Sequence, residues 1–246
     1  NVPFYGENTV AEFAFALLLA LSRRIVDADE RVREAGLFSP TGLRGFDLAG
    51  KTIGVVGTGH IGAHVIRMAQ GFGMKVIGFD AFPNADLAHT LGFTYLPLSE
   101  LLATSDIITL HVPYNEHTHH LINRENIGGI KKGAYLINTA RGAVLETQAL
   151  VEALKNEVIA GAGLDVLEEE GYLADEAALL TAAHPHEEDL KTVLADHYLI
   201  NHPRVIVTPH LAFNTTEAVK RILDATIENI RHFSGGTPSN IVAARP

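Results

Sequence analysis

Six residues, Gly57-Thr58-Gly59-His60-Ile61-Gly62, constrain what this chain can fold into more than any other stretch, because of what surrounds them. The apolar run Thr52-Ile53-Gly54-Val55-Val56 precedes them and reads as a buried strand, and Ala63 to Phe72 follows as a helix. A second strand, Lys75 to Phe79, ends at Asp80, eighteen residues past Gly62. Strand, glycine turn, helix and a later carboxylate together describe a site for two joined nucleotides. Gly57 permits the tight turn, Gly59 lets backbone approach a pyrophosphate, and Gly62 lets helix and strand pack closely. His60 and Ile61 open the helix, whose N-terminal N–H groups and dipole attract phosphate. The Asp80 carboxylate accepts ribose hydroxyls and repels a 2′-phosphate. Ala81-Phe82-Pro83-Asn84 supplies no Arg or Lys to hold such a phosphate, so NAD is expected rather than NADP.

The pattern after Gly50 alternates strand and helix. Strands are expected at Thr52–Val56, Lys75–Phe79, Asp106–His111, Ala134–Asn138, Ala160–Leu164 and Val205–Val207. Helices are expected at about His60–Phe72, Asp86–Leu91, Ser99–Ala103, Arg124–Ile127 and Glu146–Glu157. The fold class is therefore α/β, a doubly wound and mostly parallel sheet covered on both faces. At the N-terminal end, Thr9-Val10-Ala11-Glu12 has the form of a capping box and predicts a long helix to Glu34. Its apolar surface exceeds one face, which points to a subunit contact and a homodimer. A last helix is expected from Thr215 to Ser234, stopped by Gly235-Gly236. The acidic, irregular region of about 168–203 reads as an insertion over the surface of an NAD-binding domain covering 1–238.

Charge and composition exclude several classes. The net charge is -10, and ten acidic residues but no Lys or Arg lie between Lys155 and Lys191, the opposite of a nucleic-acid surface. The longest apolar run, Phe13 to Leu21, is nine residues, short of the roughly 20 that a spanning helix needs. There is no cysteine, so disulfides, thiol catalysis and thiolate metal sites are excluded, and a cytoplasmic setting is expected. Two histidine groups, His117-Thr118-His119-His120 and His184-Pro185-His186-Glu187-Glu188, lack a helical i, i+4 spacing and are expected in loops without metal.

Three further segments carry chemistry: Asn138-Thr139-Ala140-Arg141-Gly142, Gly163 to Glu170, and Thr208-Pro209-His210-Leu211-Ala212. Together with His111-Val112-Pro113 and the glycine turn, they resemble the D-isomer-specific 2-hydroxyacid dehydrogenases over essentially the whole chain. The resemblance implies that Arg141, Glu170 and His210 do the chemistry, with NAD as cofactor and a small 2-oxo or 2-hydroxy acid as substrate. The chemistry of these groups agrees with that assignment. Arg141 offers a planar fork for a carboxylate, His210 exchanges a proton near neutral pH, and Glu170 orients the imidazole. The resemblance, in whose pattern this glutamate stands five residues on from Asp165, implies Glu170 rather than Glu168 or Glu169. The resemblance further places Val112 and Pro113 against adenine or its ribose and Thr118 on the phosphate side. It puts Thr139, Ala140 and Asp165 toward the nicotinamide.

Gly171 after Glu170, and the long stretch Tyr172 to His202, look like the D-lactate subgroup, with Phe213 a wall for a small methyl group. Pyruvate and D-lactate are thus the expected pair; glycerate, phosphoglycerate and an NAD-sensing corepressor are the alternatives. The opening Asn1 to Glu12 resembles the family's hinge between substrate and cofactor domains. On that expectation a substrate domain of about a hundred residues precedes the chain, residues 239–246 lead back to it, and the chain alone binds NAD but turns over weakly.

Overall fold

The computed structural model describes residues 1–2, 4–171 and 187–242. Among them are seven strands: β1 (Thr52–Val56), β2 (Lys75–Phe79), β3 (Thr94–Tyr95), β4 (Ile107–Leu110), β5 (Ala134–Asn138), β6 (Ile159–Leu164) and β7 (Val205–Val207). All pair in parallel, in the order β3-β2-β1-β4-β5-β6-β7. Chain order reverses between β1 and β4, which opens a crevice beyond the strand ends.

The central strands are largely apolar because both faces are covered. Ile53, Val55, Ile107 and Ile137 belong to one core with Phe15, Leu18, Val65 and Ile66. Their strand neighbours Val56, Ile108, Leu110 and Leu136 belong to the other, with Leu101, Leu150 and Leu154. Side chains of a strand alternate between faces, so each apolar run feeds two cores. Helices α1 (Glu7–Arg23) and α3 (His60–Gly71) cover the first face; α5 (Leu98–Thr104) and α6 (Thr147–Lys155) cover the second. The short α4 (Ala85–Leu91) is capped by the Asn84 side chain, which accepts from Leu87 N–H.

Several boundaries differ from the sequence reading. The expected helix of about 9–34 is two helices, α1 and α2 (Ile25–Arg33), broken at Arg24 with φ 51°. The break has a cause: the carbonyl of Ser22 accepts from Phe46 N–H at 2.9 Å, which spends an acceptor needed to continue the helix. Nor does Thr9 cap α1. The helix starts at Glu7, and the buried Thr9 hydroxyl receives Arg221 Nη2 at 3.2 Å. The buried face of α1, including Phe15, Leu17 and Leu18, packs inside this chain against α3 and the sheet.

The expected helix at Arg124–Ile127 is a single 3₁₀ turn, Ile127–Gly129. Asn123 Oδ1 accepts from the N–H groups of Glu125 and Asn126, a local turn that competes with helix. The region read as an irregular insertion contains helix α7 (Glu187–Ile200), which packs on α6 and β7 with Val193 and Leu199 buried. Helix α8 (Thr216–Ser234) is capped by the Thr215 hydroxyl, which accepts from Ala218 N–H, and it stops at Gly235. Among the described residues no helix is long and apolar enough to cross a membrane.

Gly62 marks the tightest contact of α3 with β1, where an added Cβ would lie 2.1 Å from the Gly57 carbonyl oxygen. Gly62→Ala is therefore expected to lower stability by about 1–3 kcal/mol through overpacking. Chemical denaturation with an unchanged midpoint would contradict this reading of the turn.

Candidate functional site

Five strands end in line. Val56 pairs with Leu110, Leu110 with Asn138, Asn138 with Leu164, and Leu164 with Val207. The next residue on each strand, Gly57, His111, Thr139, Asp165 and Thr208, begins a segment of the site. The cavity beyond them encloses about 820 Å³.

At β1, Gly57 takes φ 91°, where a Cβ would press within 2.7 Å of the His111 backbone. Gly59 in contrast has no described residue within 4 Å of where its Cβ would be, beyond its chain neighbours, and it lines the cavity beside His60 and Ile61. At β2, Asp80 receives Thr58 N–H at 2.7 Å, Thr58 Oγ1 at 3.1 Å and Phe82 N–H at 2.9 Å. Its carboxylate thus braces the glycine turn, and Asp80 is not among the residues that line the cavity.

At β5, Asn138 shapes the turn that carries Arg141: its Oδ1 accepts from Ala140 N–H, and its Nδ2 donates to the Arg141 carbonyl, both at 3.0 Å. Arg141 itself is exposed and lines the cavity. Among the described residues its guanidinium has no carboxylate partner; Nη1 donates to the neighbouring Ala140 carbonyl at 2.6 Å.

At β6 the buried Asp165 accepts from Thr208 Oγ1 (2.6 Å), Leu211 N–H (3.0 Å) and Ala212 N–H (2.8 Å). It therefore clamps the loop that carries His210. That histidine has φ 51°, a backbone region costing roughly 1–2 kcal/mol for an L-residue, and its N–H donates to the Asp165 carbonyl at 2.8 Å. Held so, His210 Nδ1 meets Glu170 Oε1 at 2.8 Å. Of the three adjacent glutamates, Glu168 goes elsewhere: Oε1 pairs with His120 Nε2 at 2.5 Å and Oε2 accepts from Thr147 N–H at 3.1 Å.

Gly59, His60, Ile61, Val112, Pro113, Thr139, Ala140, Arg141, Asp165, Glu170 and His210 all line this cavity. Gly57 and Gly62 shape the turn from beneath. Thr118 lies off the cavity and closes the loop after β4, donating to the Pro113 carbonyl at 2.6 Å. Sequence reasoning missed Tyr5, Glu7 and Val10 as site residues, which reach the cavity from the start of the chain, and gave His111, part of a quoted segment, no role of its own. The Tyr5 ring meets Phe213 edge-on at 6.3 Å; no local signal in the sequence foretells that contact. His119 stacks on His120 at 3.9 Å, and among the described residues no group of three potential metal ligands forms. His184 and His186 lie outside the described residues.

Two buried polar atoms at the cavity, His111 Nδ1 and Thr139 Oγ1, have no hydrogen-bond partner among the described residues. Together with the open face at Gly59 and the absence of a cation after Asp80, they suit a polar dinucleotide without a 2′-phosphate. Burial pushes the His111 imidazole down to about 3 from its ordinary 6.5, and its Nε2 rests against Thr109 Oγ1 at 2.8 Å.

Residues 15–212 match the family described as D-isomer specific 2-hydroxyacid dehydrogenase, NAD binding domain, and the chain belongs to that family. A glyoxylate reductase of Korarchaeum cryptofilum is 39% identical, over 98% of this chain and 68% of that protein. The D-lactate dehydrogenase of Escherichia coli is likewise 39% identical, over 96% and 69%. Among solved structures, D-lactate dehydrogenase from Aquifex aeolicus complexed with NAD and lactic acid superposes with a TM-score of 0.86 at 38% identity, covering 96% of this chain and 69% of that one. The cofactor of this domain is NAD.

Two outcomes test the site. Gly59→Ala adds a methyl group where no described residue meets it, so the fold is expected to persist while NADH affinity falls at least about tenfold; unchanged affinity by fluorescence titration would refute the cradle. His111 is neutral in the folded chain down to about 3 and titrates near 6.5 when unfolded. Its stabilising contribution is complete above pH 6.5 and is lost as pH falls toward 3. The pH slope of unfolding free energy between pH 6 and 4 should therefore be shallower in His111→Asn, and equal slopes would contradict the assignment.

Proposed function

We propose that this chain interconverts a small 2-oxo acid and its D-2-hydroxy acid with NAD, pyruvate and D-lactate being the favoured pair. The observation that carries the reading is the meeting of Arg141, Glu170 and His210, from three distant segments, on one cavity at the mouth of the glycine turn. Glycine-turn backbone and the α3 N-terminus would hold the pyrophosphate, Asp80 the ribose, and Thr139 and Ala140 the nicotinamide side. Bound there, NAD supplies or receives a hydride at C4 of the nicotinamide.

The protein residues do the rest. Arg141, without a carboxylate partner among the described residues, grips the substrate carboxylate and polarises the neighbouring carbonyl. Glu170 engages His210 Nδ1 and sets the ring so that Nε2 gives a proton to the emerging alkoxide, or takes it in the reverse direction. Tyr5 and Phe213 supply an apolar wall suited to a methyl substituent. Glyoxylate and other short 2-oxo acids use the same three groups, a reading favoured by the similarity to the Korarchaeum cryptofilum enzyme; a substrate screen orders them.

The His210 and Glu170 side chains keep 41% and 44% of their accessible surface. That exposure supports the reading that water reaches the reacting position and that the 246-residue polypeptide turns over slowly. We read residues 1–238 as one NAD-binding unit in a cytoplasmic homodimer. The exposed apolar side chains Ile25, Val32, Leu37 and Phe38 around α2 form the face that supports self-pairing.

NADH titrated into the chain should quench or shift its fluorescence saturably, and NADPH should bind far more weakly; equal binding of both refutes the role given to Asp80. Arg141→Ala should lower kcat/KM for pyruvate by about 10²–10³ and leave NADH affinity nearly unchanged. Turnover equal to that of the parent chain would end the enzymatic reading.

A further inference from the structure

Asp196 is wholly buried on α7 and lies off the cavity, yet its carboxyl group ties together the elements that carry the site. Oδ1 accepts from the hydroxyl of Thr147, the first residue of α6, at 3.3 Å. Oδ2 accepts from the backbone N–H of Glu169, also at 3.3 Å. Glu169 sits between the two glutamates with assigned partners. Glu168 reaches Thr147 N–H and His120, while Glu170 reaches His210. The turn of residues 168–170 is thus fastened on one side through Glu168 and on the other through its own backbone to Asp196.

The arrangement is costly. Among the described residues no Lys or Arg pairs with Asp196, and burial, with Glu168 and Glu169 nearby, pushes its carboxyl up to about 7. An apolar residue of similar shape would avoid that desolvation. Holding α7 against α6 does not require the carboxyl, because Gln148 Nε2 already bonds Thr192 Oγ1 across the same contact at 2.8 Å. The bond specific to Asp196 is the one to the turn.

We propose that Asp196 is a positioning residue for Glu170: by holding the Glu169 N–H it fixes the turn from which Glu170 reaches His210. This rests on the reading above that Glu170 and His210 act as a pair. A shift of the turn by an ångström would break a 2.8 Å contact, so the effect of losing Asp196 should appear at His210, on the far side of the turn.

The test is nuclear magnetic resonance of the full isotope-labelled chain at one fixed pH, reading the His210 Nδ1 resonance and the exchange rate of the Glu169 amide. Glu170→Gln sets the displacement of the Nδ1 signal that accompanies loss of the carboxylate. Asp196→Leu, which keeps the shape of the side chain, and Asp196→Ala, which is smaller, should each reproduce at least about half of that displacement. Each should also speed Glu169 exchange about tenfold or more. Asp196→Asn should restore both signals, since its Oδ1 still accepts from Glu169 N–H while its amide donates to a rotated Thr147 hydroxyl. NADH affinity should stay within about twofold in the Asp196 variants, because Asp196 itself does not line the cavity.

A displacement in Glu170→Gln but none in folded Asp196→Leu or Asp196→Ala overturns this inference alone. No displacement in Glu170→Gln removes the pair itself, and both readings fall. Unfolding of both the Leu and Ala variants, or failure of Asn to restore the signals, makes Asp196 a residue of the fold rather than of the site and also overturns the proposal.

Discussion

The site rests on the register of five parallel strands, whose last residues Val56, Leu110, Asn138, Leu164 and Val207 stand side by side. Parallel pairing sends every carboxyl end to the same edge, and register is strongly held because β1, β4, β5 and β6 are buried on both faces. A slip of one residue in β5 or β6 would turn its apolar side chains to the wrong cores and carry Arg141 or Asp165 away from the cavity. The chemistry at the edge is therefore secured by packing far beneath it, in cores that contain no reacting group.

Beyond the strand ends the fastening changes from apolar to polar. Asn138 folds the Arg141 turn with two hydrogen bonds from one side chain, and Asp165 holds the His210 loop with three. These two residues are among the most buried polar groups of the chain, and burial of such groups is tolerated only when their hydrogen bonds are made. The left-handed backbone of His210 is sustained by the same bonds. Side chains that look like ligands for a cofactor thus spend much of their capacity on shaping loops. Asp80 does so too, with all three of its bonds directed at its own chain.

Much of this was legible beforehand. Apolar runs bounded by turns located β1, β2, β5 and β7 to the residue, and the glycine spacing located the start of α3. The assignment of Glu170 among three glutamates coincides with the contact to His210. What escaped was non-local. The end of α1 is decided by a backbone bond from Phe46, the fate of the Thr9 hydroxyl by Arg221, and the wall of the cavity by Tyr5 meeting Phe213. Each depends on a partner more than 20 residues away, for which periodicity carries no signal. Helix α7 escaped for a different reason: the acidic composition before it masks a short apolar stripe.

The sequence by itself determined the class of fold and the dinucleotide turn and singled out Arg141, Glu170 and His210 as the candidate groups, since these follow from local spacing, backbone sterics at glycine and side-chain chemistry. Tertiary structure alone decided which groups meet. Whether a guanidinium, a carboxylate and an imidazole converge depends on strand register and on buried polar clamps such as Asp165, and those are properties of chain segments brought together only when the sheet has closed its two cores.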